Sequence, residues 1–177
     1  MFFIPGILIS ILTFPGVIVH ELAHQLFCRW FKIPVFQVVY FRVGNPTGYV
    51  LHETIPNKWQ SMVVSIGPFI INTIIGALIA LPAALPVFKF DNANIFDYIL
   101  IYLGVSIAMH AFPSTGDANA IWKDLKEAET SIWVKIFGYP IVGLIYAGAL
   151  GRVIWLDFAY GIAIAVGLPN LLISLFA

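Results

Sequence analysis

Five long apolar stretches follow one another along this chain, and they decide what it can fold into. Phe2 to Trp30, Ser61 to Leu85, Ile95 to Phe112, Ile132 to Gly151 and Leu156 to Phe176 are each near or above the length of about 20 residues that a helix needs to cross a bilayer. Charged residues make up only 10% of the 177 residues, against about a quarter in ordinary soluble domains, which argues against a soluble globular fold. Nine basic and nine acidic residues cancel, so there is no cationic surface to hold nucleic acid. The single cysteine, Cys28, allows neither an internal disulfide nor a cysteine-cluster metal site. The expectation is one domain over residues 1–177, an all-α polytopic membrane protein with about five transmembrane helices. A sixth, broken span is the alternative. The first stretch lacks a basic leading region and runs straight into charged residues, so it reads as retained and not as a cleaved signal.

Two pieces do not fit a span. Val35 to Thr54 is rich in β-branched and aromatic residues and is split by Gly44-Asn45-Pro46-Thr47-Gly48. It reads as a small membrane-associated β-hairpin with a five-residue turn. Ala118 to Glu129 reads as a short amphipathic helix. Gly143, Ala147 and Gly151 recur at every fourth position and suggest a close-packing ridge on the fourth span. Orientation follows from the cations. Arg29, Lys32, Arg42, Lys58, Lys123, Lys126 and Lys135 fall on one side and only Lys89 and Arg152 on the other. The first group belongs in the cytoplasm, with the N-terminus outside.

His20-Glu21-Leu22-Ala23-His24 is an H-E-x-x-H motif. On a helix, residues four apart share a face, so both imidazoles can bind one metal ion with Glu21 beside them. With four histidines and four glutamates in the chain, chance supplies roughly 0.002 such matches. Ionisable groups inside an apolar span are costly and mark a functional site. Glu21 lies eight residues before Arg29, about 12 Å along a helix, which places the site inside the cytoplasmic half of the bilayer. Two imidazoles are too few for a catalytic zinc, which takes three protein ligands and keeps an open position. Asp117, His110, His52 and the more distant carboxylates are the candidates for the third. Asp117 could instead cap a helix starting at Ala118. His110 could serve as a ligand, a supporting donor or a packing residue, and His52 suits a surface position. Asn72, four residues beyond Gly67-Pro68, is a buried amide that must either bond a neighbouring backbone or face a wet cavity.

HELAH in a membrane span, Gly67-Pro68 with Asn72 in the next, and a distant Gly116-Asp117 together resemble the site-2 protease family of intramembrane zinc metalloproteases. The resemblance covers about His20 to Asp117. It implies Zn2+ held by His20, His24 and Asp117, water activated by Glu21, and Asn72 near the substrate carbonyl. The spacing from Gly67-Pro68 to Asn72 is one residue longer than in that family, and Gly116 precedes Asp117 where the family has a glycine after the aspartate. The implied function is hydrolysis of a peptide bond within or near a transmembrane segment of a membrane-protein substrate, by a multi-pass protein of the cell membrane with its site toward the cytoplasm. A substrate span must unwind locally to expose its carbonyls, and the Val35 to Thr54 hairpin offers an edge on which it could pair, with proline substitutions along Val35 to Val39 expected to stop cleavage. The rival expectations are a membrane zinc hydrolase acting on lipid or small peptides, and a metal-binding or metal-transporting membrane protein.

Overall fold

The computed structural model describes residues 6–176; Phe2 to Pro5 of the first expected span lie outside them. The elements run α1 (Gly6–Leu12), α2 (Phe14–Trp30), β1 (Val35–Val39), β2 (Tyr49–His52), α3 (Lys58–Phe88), α4 (Ile95–Met109), α5 (Thr115–Lys126), α6 (Ile132–Gly151), α7 (Leu156–Ile162) and α8 (Leu168–Phe176). A 3-10 turn, Arg152–Ile154, joins α6 to α7, and a π-helical segment, Ala163–Gly167, joins α7 to α8.

Among the described residues three helices are long and apolar enough to cross a membrane, Lys58–Phe88, Ile132–Ile154 and Leu156–Leu175, and the bent pair α1–α2 adds a fourth if it counts as one span, so the helices support three or four of the five expected spans. The first apolar stretch is broken at Thr13, where α1 and α2 meet at 87°. Pro15 sits in the first turn of α2, where its missing N–H costs nothing, and so starts a new helix there. The third stretch folds as a helix of only 15 residues, about 22 Å long and short of a hydrocarbon core of about 30 Å.

That short helix is completed by its successor. Gly76 faces Gly104 and Ala108, Asn72 bonds the carbonyl of Ile107, and Lys58 pairs with Asp124. Together α4 and α5 therefore run antiparallel to α3 along its length, as one passage interrupted at residues 110–114. Pro113 enforces the interruption, because it lacks an N–H and disfavours helical geometry at Phe112. The helix α5 was expected to begin at Ala118. It begins at Thr115, capped by Ser114. Its apolar face (Ala118, Ile121 and Leu125) is buried against Met62, Val134, Val142 and Ile145 of α3 and α6.

Close helix approach in α6 uses Gly151 of the expected ridge together with Gly138 and Gly148, which lie outside it, and does not use Gly143. Gly143 has nothing near it, whereas Gly138 faces Leu125, Gly148 faces Phe112 and Gly151 faces Leu156. The hairpin is antiparallel, pairs Val39 with Tyr49 and Val35 with His52, and carries an irregularity at Phe36. Its connection is longer than the five-residue turn expected and spans residues 40–48. Arg42 holds that connection together, donating from its main chain to Thr47 and from Nε to Pro46.

Candidate metal centre

His20 and His24 lie on the buried face of α2, four residues apart, and α5 begins beside them. One ligand atom from each of His20, His24 and Asp117 falls within 4.8 Å of the other two. His24 Nε2 is 3.2 Å from His20 Nε2 and 3.5 Å from Asp117 Oδ1. The other ring nitrogens explain this geometry. His20 Nδ1 donates to the carbonyl of His110 at 2.7 Å, and His24 Nδ1 donates to the carbonyl of Val64 at 2.9 Å. A carbonyl can only accept, so in the neutral rings both protons sit on Nδ1 and both Nε2 atoms present bare lone pairs. Two lone pairs at 3.2 Å with a carboxylate oxygen next to them repel one another unless a cation stands between. Two imidazoles and one carboxylate with an open side form the donor set of a catalytic zinc, so the residues fit the metal that the sequence implies.

Asp117 divides its two oxygens between two roles that had looked exclusive. Oδ2 accepts from the main-chain N–H of Ser114 at 2.8 Å and from its hydroxyl at 2.6 Å, while Ser114 Oγ accepts from Asp117 N. This reciprocal capping box ties the first turn of α5. Oδ1 is left free to face His24. Asp117 is thus the third residue of the box and not the N-cap.

His110 does not join the cluster with its ring. That ring bonds Thr13 Oγ1 at 2.8 Å, and Thr13 in turn donates to Ile9. Its contribution is the carbonyl that aims His20. His52 bonds the neighbouring carbonyl of Glu53 at the exposed end of β2. Asn72 is fully buried behind the site, where its amide N–H groups face the carbonyls of Gly16, Ile107 and His110 at 3.1–3.4 Å. It joins α2, α3 and the end of α4, and it braces the same His110 carbonyl that holds His20.

The cluster opens into a cavity of about 970 Å³. Glu21 lines it, 8% exposed, facing the hairpin connection. A Cβ on Gly48 would come within 2.6 Å of Glu21 Cγ, so only glycine lets the loop approach this closely. Of the hairpin strands, β2 borders the cavity, through Tyr49, Val50 and His52, whereas the Val35 to Val39 segment, where proline was expected to stop cleavage, does not line it. The wall formed by the α6–α7 turn adds Arg152, Trp155 and Asp157. Trp155 there adopts a left-handed backbone with φ 62°, a strain of about 1 kcal/mol or more for a residue with a side chain. Arg152 donates from Nη2 to the carbonyl of Phe112 at 3.3 Å and stands 4.0 Å from Asp157. It is the one Lys or Arg lining the cavity among the described residues. Its part in the site had no local signature. Ser114 did, since Ser114-Thr115-Gly116-Asp117 matches the capping-box pattern.

The polar ends of several helices meet at one level. Lys58 at the start of α3 pairs with Asp124 at 2.9 Å and Glu127 at 2.7 Å. From Lys58 to Val64, whose carbonyl holds His24, is six residues of helix, or about 9 Å. Trp30, Trp59, Trp122 and Trp133 lie on the elements that reach this end, all of them exposed.

A sequence model of the family described as "Putative zincin peptidase" matches residues 13–132. No curated protein and no solved structure matches the chain. The matched stretch contains His20, Glu21, His24 and Asp117, and it ends before Arg152.

Proposed function

This chain belongs to that family of zincin peptidases, and from this premise we propose that it is an intramembrane zinc metallopeptidase that cuts membrane-protein segments, in the manner of the site-2 proteases it resembles. The observation that carries the reading is the convergence of His20 Nε2, His24 Nε2 and Asp117 Oδ1 beside Glu21 in an open cavity. These three residues would hold the metal. Zinc in that place supplies Lewis acidity, which lowers the pKa of water and polarises a carbonyl. Glu21 takes the proton of the attacking water and passes it to the amine as the C–N bond breaks. Arg152, on the wall across the cavity, meets the negative charge that develops on the carbonyl oxygen.

Membrane placement rests on three apolar helices long enough to span and on the four exposed tryptophans at the Lys58 end. Amphipathic rings of this kind favour the interface. With that interface at Lys58, the metal site lies about 9 Å inward. The same end collects Arg29, Lys58, Lys123 and Lys126, which supports a cytoplasmic placement. An extended substrate would pair along β2, which borders the cavity. Successive residues of a strand point their N–H groups to opposite edges. Proline at either Val50 or Leu51, but not both, should therefore stop cleavage while zinc stays bound.

The test is cleavage of a fluorogenic transmembrane peptide by the zinc-loaded protein in lipid vesicles. Wild type should cleave it, and Glu21→Gln should retain zinc but lose activity by about 10²-fold or more. Fatty-acid release from the vesicles with no peptide cleavage would turn the reading toward a lipid hydrolase. Metal flux that survives Glu21→Gln would turn it toward a transporter.

A further inference from the structure

Both imidazoles are aimed by main-chain carbonyls that helices cannot use, and in α3 the cause is a single residue. Within an α-helix the carbonyl of Val64 would accept from the N–H of residue 68. Residue 68 is Pro68, inside α3 and fully buried, and proline has no N–H. The Val64 carbonyl therefore has no partner along the helix, and the proline ring tilts it outward. His24 Nδ1 takes up that carbonyl at 2.9 Å. At His20 the same logic holds by other means. α4 stops at Met109, ahead of Pro113, and the carbonyl of His110 at its end receives His20 Nδ1.

We propose that Pro68 is a positioning residue of the metal centre: by withholding its N–H it releases the Val64 carbonyl to fix the tautomer and direction of His24. The proposal rests on the reading of His20, His24 and Asp117 as metal ligands. It assigns Gly67-Pro68 two separable tasks. Gly67 admits Phe27, whose ring would collide with a Cβ there, and Pro68 frees the Val64 carbonyl, one turn earlier, as the acceptor for His24. A side chain at residue 68 that restores the N–H returns the carbonyl to the helix and leaves His24 free to rotate or change tautomer. Partners that orient a ligating histidine are worth roughly 10- to 100-fold in metal affinity.

The experiment compares zinc affinity, by competition with a chromophoric chelator, in full-length wild type, Pro68→Val, Pro68→Ala and Pro82→Ala, all in detergent. Valine nearly preserves the buried volume and restores the N–H; alanine restores the N–H and shrinks the side chain. The proposal expects both residue-68 variants to bind zinc roughly tenfold or more weakly. Pro82→Ala, in the same helix at an exposed position away from the site, should bind like wild type. The cobalt-substituted proteins add a readout that packing alone does not move. The visible spectrum of cobalt should change in Pro68→Val and not in Pro82→Ala. Wild-type affinity in Pro68→Val, with a loss confined to Pro68→Ala, would make residue 68 a packing residue and overturn the proposal. A wild type that takes up no zinc or cobalt would instead overturn the metal-centre reading beneath it.

Discussion

Replacing Ser114 by alanine separates the two duties of Asp117. The hydroxyl of Ser114 makes two contacts that the variant loses: it donates to Asp117 Oδ2 at 2.6 Å and accepts from Asp117 N at 3.2 Å. The main-chain donation to Oδ2 at 2.8 Å remains. Losing an N-cap hydroxyl costs about 1 kcal/mol of stability, and a hydrogen bond to a charged group is worth about 1.5–3 kcal/mol. Half of the donors that fix the carboxylate rotamer are therefore gone, while Oδ1 is chemically unchanged. Zinc affinity should fall about tenfold, or about 1.4 kcal/mol, beyond any loss of stability in the metal-free protein. Ser114→Thr keeps the hydroxyl and should behave as wild type. Chelator competition gives the affinity, and thermal unfolding of the metal-free protein in detergent gives the cap. A fall in the melting temperature with unchanged zinc affinity would refute the reasoning, because it would leave Asp117 with the cap as its sole role.

Other perturbations probe separate parts of the site. Gly48→Val drives a side chain into Glu21; it should cut cleavage at least tenfold, as a misplaced base does, with zinc content unchanged by elemental analysis. Arg152→Met should lower kcat by roughly 10- to 100-fold with zinc retained, as expected when a preorganised donor to a developing oxyanion is lost. Arg152→Lys should recover part of that loss. In the packing of α3 on α4, a Cβ at Gly76 would already stand 2.8 Å from both Ala108 Cβ and the Gly104 carbonyl. Gly76→Val should therefore destabilise the fold by about 1–3 kcal/mol, read as a lowered melting temperature.

The chemistry of this chain was more legible than its path through space. HELAH needed only the helical repeat to bring His20 and His24 to one face, and a buried glutamate between them needed a purpose. Asp117 could be named from the resemblance. That its carboxylate serves two masters depends on rotamer geometry around Ser114, which spacing alone does not fix. Apolar runs locate material that avoids water but not where a helix turns. The first run bends by 87° at Thr13 because Pro15 is as comfortable starting a helix as interrupting one. The third ends as a helix at Met109, ahead of Pro113, and the amphipathic α5, expected as a separate short helix, continues its passage along α3. Which hairpin strand faces the cavity could not be read either, since β-propensity describes a strand and not its neighbour. Asn72 illustrates the limit from the other side. A buried amide was expected to find carbonyls or a cavity, and three carbonyls surround it. Arg152 joins the site through a 3-10 turn and a left-handed Trp155, neither of which composition announces.

The central claim is that His20, His24 and Asp117 form one metal centre, and its most direct test is the metal content of purified protein. Wild type should carry one zinc per chain, His24→Ala and Asp117→Ala should carry none, and His110→Ala, whose ring bonds Thr13 and whose main-chain carbonyl is untouched, should keep it. A wild type without stoichiometric metal, or a zinc lost with the His110 ring but kept without Asp117, would contradict the account.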